Sequence, residues 1–143
     1  MYETILEILK LAIVMEETDR ELYTRMKDMI PDPKTQSVFE ELAEFEKTHS
    51  ELLFKKFRLH GGDPAFLPKP DEDILKEYVV PQSFHRTSIL QNAIGREIRS
   101  ENLYRNAATK TDDAILQDFC FYLANEEKDH AKTLRDLLEM DEI

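Results

Sequence analysis

Apolar residues return at steps of three and four along most of this chain. Ile5, Leu9, Ala12, Ile13, Leu22, Tyr23 and Met26 share one face of a helix predicted over about residues 3–29. "PDP" at 31–33 stops it, and Asp32 followed by Pro33 is a start signal, an N-cap acid ahead of a proline at the first helical position. The second helix carries Phe39, Leu42, Ala43, Leu53 and Phe57, and the glycines of "HGG" at 60–62 end it. The pattern then breaks. Pro64, Pro68, Pro70 and Pro81 punctuate the segment and leave room for one short helix in "DEDILKEYVV". A third long helix is predicted over about 84–109, a turn at "TKTDD", and a fourth helix over about 113–140.

These elements predict an all-α fold, a four-helix bundle made of two helical hairpins. A helix of about 26 residues is about 39 Å long. A connection of about 22 residues can span that length at ~3.3 Å per residue, so it can set the third helix parallel to the second. The expected topology has one long crossover between helices 2 and 3.

The hairpins are copies. At an offset of 81, Ile8, Leu9, Ala12, Ile13, Glu16, Leu22 and Tyr23 return as Ile89, Leu90, Ala93, Ile94, Glu97, Leu103 and Tyr104. Asp32, Gln36, Leu42, Ala43, Glu46, Lys47, His49 and Leu53 return as Asp113, Gln117, Leu123, Ala124, Glu127, Lys128, His130 and Leu134. No gap is needed, so equivalent residues are expected to meet near a pseudo-twofold axis.

The repeat carries polar residues on its apolar stripes. Glu16 shares a face with Leu9, Ala12, Ile13 and Tyr23, and Glu97 shares one with Leu90, Ala93, Ile94 and Tyr104. Glu46 and Glu127 fall beside Leu42 and Leu123 in the same way, and His49 and His130 sit one turn further on. The ordinary place for a glutamate is a solvated face, but the matched register and apolar neighbours turn these four inward. Four buried carboxylates repel one another and lose hydration, at a cost of several kcal/mol per ion unless compensated. Two divalent cations balance four carboxylates, and neutral imidazoles complete the coordination. One Glu per helix, with Glu-x-x-His on two of the four, is the pattern of dinuclear carboxylate bundles.

Composition narrows the alternatives. The chain has 143 residues, which fits one domain spanning 1–143, and its net charge of −11 argues against nucleic acid or an anionic membrane as partner. One cysteine, Cys120, excludes an internal disulfide and a cysteine-ligated iron–sulfur or rubredoxin-type centre within the chain. "MYETILEILKLAIVMEE" reads as an amphipathic helix rather than a signal peptide, and the expected location is the cytoplasm.

On "AIVMEETDRELY", "AIGREIRSENLY", "EKTH" and "EKDH", the chain resembles the ferritin-like di-iron proteins, in particular the rubrerythrin and bacterioferritin branch, over all four helices. The resemblance implies two iron ions, manganese and zinc also being compatible with such ligands. It makes Glu46 and Glu127 shared carboxylates, Glu16 and Glu97 terminal carboxylates, and His49 and His130 terminal nitrogen ligands. Tyr23 and Tyr104 are expected to donate hydrogen bonds to the ligating carboxylates, the alternatives being radical or electron relays, as in some di-iron enzymes, and core residues with satisfied hydroxyls. The implied activity is reduction of hydrogen peroxide or dioxygen, with electrons from an external donor such as a rubredoxin, in a homodimer. Two alternatives are Fe(II) oxidation for storage or detoxification, and a bundle whose metal is structural.

Three departures stand out. Ile94 occupies a place where rubrerythrins carry an additional carboxylate, residues 1–143 lack the cysteines for the rubredoxin domain that rubrerythrins usually append, and the fifth short helix of cage-forming ferritins is not expected within them. Asp19 either orients a histidine or pairs with a Lys or Arg, Cys120 is expected in the core, and His60 and His85 at the surface.

Overall fold

The computed structural model describes residues 4–76 and 85–140. They form five helices, α1 (Ile5–Met29), α2 (Pro33–Leu59), α3 (Glu72–Lys76), α4 (Arg86–Ala108) and α5 (Ala114–Met140), with no strand among the described residues. Residue 3 of the expected first helix, residues 77–80 of "DEDILKEYVV", Pro81 and Phe84 lie outside the described residues. Within them the short helix is α3.

Local chemistry fixes the ends. Thr4 Oγ1 accepts from the Glu7 amide at 3.2 Å at the start of α1. Asp32 accepts from the Lys34 amide at 3.4 Å, and its repeat mate Asp113 accepts from the amides of Ile115 and Leu116 at 2.9 and 3.1 Å. The glutamines of the repeat close the turns before these helices, Gln36 donating to the Ile30 carbonyl at 2.8 Å and Gln117 to the Thr111 carbonyl at 2.7 Å. α2 stops where Gly61 takes φ of 87° and the Gly62 amide returns to the Phe57 carbonyl at 2.8 Å.

Side-chain pairs give the directions. Lys27 lies near Glu40 and Ser50 bonds Glu17, so α1 and α2 are antiparallel. Gln117 reaches the Ala108 carbonyl and Arg105 reaches Asn125, so α4 and α5 are antiparallel as well. Tyr23 reaches Glu97 while Tyr104 reaches Glu16, which sets α1 against α4 in opposite directions. It follows that α2 and α4 point the same way. The stretch between them is tied to α1, because the Asp71 amide donates to Thr18 Oγ1 at 2.7 Å and Arg25 donates to the Leu75 carbonyl at 3.2 Å.

The core divides at the waist of the bundle. Leu22, Tyr23, Met26, Phe39, Leu42, Leu90 and Leu134 pack in one cluster, and Leu9, Ala12, Ile13, Leu53, Tyr104 and Leu123 in another. On every long helix the residues between the two clusters include an inward glutamate. The flanking apolar layers hold the frame; truncating a fully buried leucine such as Leu90 to Ala costs roughly 2–5 kcal/mol. Cys120 is a free, buried thiol packed in a third cluster with Ile8, Ala107 and Leu116, and burial pushes it up to about 11.

Candidate metal centre

The helical period places one carboxylate from each long helix at the waist. Glu16, Glu46, Glu97 and Glu127 are fully buried, and His49 and His130 are nearly so. His49 Nδ1 lies 3.0 Å from Glu127 Oε1 and 3.6 Å from Glu16 Oε2. His130 Nδ1 lies 3.4 Å from Glu97 Oε2 and 3.8 Å from both Glu46 Oε1 and Glu127 Oε2. Two sets of potential ligand atoms result, each lying within 4.8 Å of one another: Glu16, Glu46, His49 and Glu127, and Glu46, Glu97, Glu127 and His130. The repeat exchanges one set for the other. Glu46 and Glu127 belong to both.

The polar atoms of this cluster are short of partners. Glu16 Oε2, both oxygens of Glu46, Glu97 Oε2, Glu127 Oε2, His49 Nε2 and both nitrogens of His130 are buried without a hydrogen bond. Buried polar groups are otherwise almost always bonded, so a concentration of orphans on six side chains marks a place built for something else. Carboxylate oxygens and imidazole nitrogens are donors that iron, manganese and zinc all accept.

The remaining oxygens are anchored. Tyr23 donates to Glu97 Oε1 at 2.7 Å, and Tyr104 donates to Glu16 Oε1, each tyrosine crossing from its own hairpin to the glutamate of the other. Burial, reinforced by Glu97 for Tyr23 and by Glu16 for Tyr104, pushes both phenols well above their ordinary value. They stay protonated and donate that hydrogen to the carboxylates.

The carboxylates divide in character. Burial, with the charges of Glu16 and Glu97, pushes Glu127 well above the usual carboxylate range. Burial acts on Glu97 in the same sense, but the nearness of Glu127 and His130 outweighs it and leaves Glu97 below that range. Burial works against protonation of His49, yet the nearby carboxylate of Glu16 raises it overall.

One buried ion pair adjoins the cluster. Asp19 bonds Arg96 across α1 and α4, with 1% and 6% of each residue exposed. Burial raises Asp19 to about 7 against the pull of Arg96. Of the two expectations for Asp19, the structure selects the pairing with an arginine. Arg96 itself escaped the sequence reading. Its register with Ile89, Ala93, Ser100 and Leu103 is the signal that it points inward, opposite an acid on the partner helix.

Other residues fall elsewhere. His60 bonds the Lys56 carbonyl and Asp113 at 2.8 and 3.3 Å at the end of α2, and His85 is exposed at the start of α4. Ile94 packs in the first apolar cluster. No helix among the described residues is long and apolar enough to cross a membrane.

A helical bundle with four carboxylates and two imidazoles gathered at its waist has the layout of a di-metal carboxylate protein. Residues 7–138 match the family model described as Rubrerythrin, and the chain belongs to this ferritin-like di-iron family. A comparison with curated proteins finds no match. Family and cluster together point to a di-metal site, with iron the metal that the family implies.

Proposed function

We propose that this protein binds two iron ions and reduces hydrogen peroxide or dioxygen with electrons from a separate donor such as a rubredoxin. The observation that carries the reading is the pair of interlocking ligand sets, with Glu46 and Glu127 common to both. Glu16 and His49 are the terminal ligands of one ion, and Glu97 and His130 those of the other. Glu46 and Glu127 are shared between the two.

Bound iron supplies a one-electron change at each ion, and two electrons with two protons convert one hydrogen peroxide into two waters. The chain supplies the rest. Tyr23 and Tyr104 each hold one oxygen of a terminal carboxylate, which leaves Glu97 Oε2 and Glu16 Oε2 free to face an ion. Burial of the four carboxylates limits bulk water at the waist and strengthens the charge interactions there. Ligation needs neutral imidazoles and ionised carboxylates, so the proton favoured on Glu127 must leave as metal binds.

The accompanying topology, two repeated hairpins joined by a long crossover, is supported by the matched caps at Asp32 and Asp113 and by the shared direction of α2 and α4.

Metal analysis on protein purified without added metal, followed by optical spectra of the reduced form before and after peroxide, tests the proposal. About two irons per chain and an absorption band that grows on peroxide addition are expected from two metal positions that change redox state. Many irons per chain would favour storage. A spectrum that stays unchanged after iron loading would favour a structural metal and sink the redox reading.

A further inference from the structure

The two open sides of the waist are built differently. Between α1 and α4 it is closed by buried polar bonds, from Tyr23 to Glu97, from Tyr104 to Glu16 and from Arg96 to Asp19. An ion entering there would have to break several bonds in an apolar surround. Between α2 and α5, among the described residues, the buried hydrogen bond is that of His49 Nδ1 with Glu127 Oε1 at 3.0 Å, which joins two of the candidate ligands themselves and lies within the cluster rather than over it. The ring of Phe45 lies over the imidazoles instead, its centroid 4.9 Å from that of His130 and 6.4 Å from that of His49.

Phe45 is also 44% exposed, unusual for an aromatic ring resting on a buried polar cluster. A groove of about 430 Å³ opens beside it, with Glu41, Glu44, Thr48, His49 and Tyr122 in its wall. The acidic groups at this mouth raise the local concentration of cations. At its foot stands His49, which is buried and whose Nε2 has no hydrogen-bond partner. In the other half of the repeat, the residue equivalent to Phe45 is Glu126, so the aromatic cover is an addition to one half rather than part of the shared pattern.

We infer that divalent cations enter and leave the centre through the α2–α5 face, and that the Phe45 ring is the gate they pass. The inference rests on the di-metal reading above. A ring that rests on two imidazoles in a residue 44% exposed can turn about its own side-chain bonds toward the groove, which uncovers both histidines without moving a helix.

Stopped-flow uptake of Co(II) by metal-free protein, and its removal by EDTA, give the two rates directly. Phe45→Ala is expected to speed both about tenfold or more, the effect of a modest fall in a barrier, and Phe45→Trp to slow both. The final content should stay at two ions per chain. Glu41→Gln with Glu44→Gln should slow uptake at low salt, and the difference should fade as salt screens the mouth. Two ions per chain with rates unchanged in both Phe45 variants would overturn the gate while leaving the centre in place. Failure of the parent protein to take up any ion would overturn the di-metal reading and the gate together.

Discussion

The hairpin α1–α2 and the hairpin α4–α5 agree in the aspartate caps of α2 and α5, in crossing tyrosines and in inward glutamates, yet differ in the residues around the cluster. Asp19 stands where the second hairpin has Ser100, and Arg96 where the first has Met15. One side of the repeat therefore has a buried ion pair. The equivalent place on the other has a methionine and a serine whose hydroxyl is buried without a partner. The contrast separates what the centre requires twice from what was placed once. On the di-metal proposal, the candidate ligands and their tyrosine anchors recur because two ions would need equivalent surroundings. The ion pair occurs once, as a clamp that adds a third buried tie between α1 and α4 to the two made by the tyrosines.

The largest effect expected concerns which ligands are shared. Glu46 and Glu127 belong to both sets, so Glu46→Ala or Glu127→Ala should empty both positions, whereas Glu16→Ala or His130→Ala should lower occupancy toward one ion per chain. Metal content after dialysis distinguishes the cases. Equal losses in all four variants would break the division into shared and terminal residues.

Next in size is the clamp. Arg96→Met puts the first hairpin's residue into the second but leaves Asp19 buried without its cation, and breaking a buried pair this way costs about 3–5 kcal/mol. The double variant Asp19→Ser with Arg96→Met removes both charges and makes the halves alike; it should be more stable than Arg96→Met alone. Urea unfolding of metal-free protein reads both. If the single variant is the more stable of the two, the pair is no clamp.

A smaller effect is expected at the tyrosines. Tyr23→Phe and Tyr104→Phe each remove one hydrogen bond to a carboxylate, a loss of about 1.5–3 kcal/mol for a bond to a charged group. Because the two bonds are repeat mates, the losses should match closely. A large difference between them would show that the halves are not equivalent at the centre.

Most of the frame was legible in the sequence because apolar periodicity and capping residues act locally. The Asp32 and Pro33 start, the glycine stop and the four inward glutamates follow from spacing alone. The cluster was legible because it was written twice, and a matched register turns four ordinary glutamates into a set. Arg96 was not, since an arginine beside a glutamate on a helix reads as surface charge until the partner helix is known to bring Asp19 against it. Phe45 was hidden for a similar reason. A phenylalanine next to a ligand reads as core, and only the packing of α2 against α5 shows that its ring covers both histidines while remaining half exposed.

The smallest effect expected is at the helix caps, where the two hairpins can be compared by pH. Bonding to Thr35 holds Asp32 below the ordinary aspartate value, and backbone bonding to Leu116, with His60 nearby, does the same for Asp113. A carboxylate depressed on folding stabilises the folded state above its unfolded value of about 3.9, and that contribution fades as pH falls through the folded value. Asp32→Asn and Asp113→Asn should therefore melt lower than the parent at neutral pH, and the differences should shrink as pH falls below about 3.9. Each cap also has its own charged or polar neighbour from another helix, Arg86 at 3.6 Å for Asp32 and His60 at 3.3 Å, at the far end of α2, for Asp113. His60→Gln should remove part of the Asp113 effect and none of the Asp32 effect, so equal responses at both caps would show that the His60 contact adds nothing.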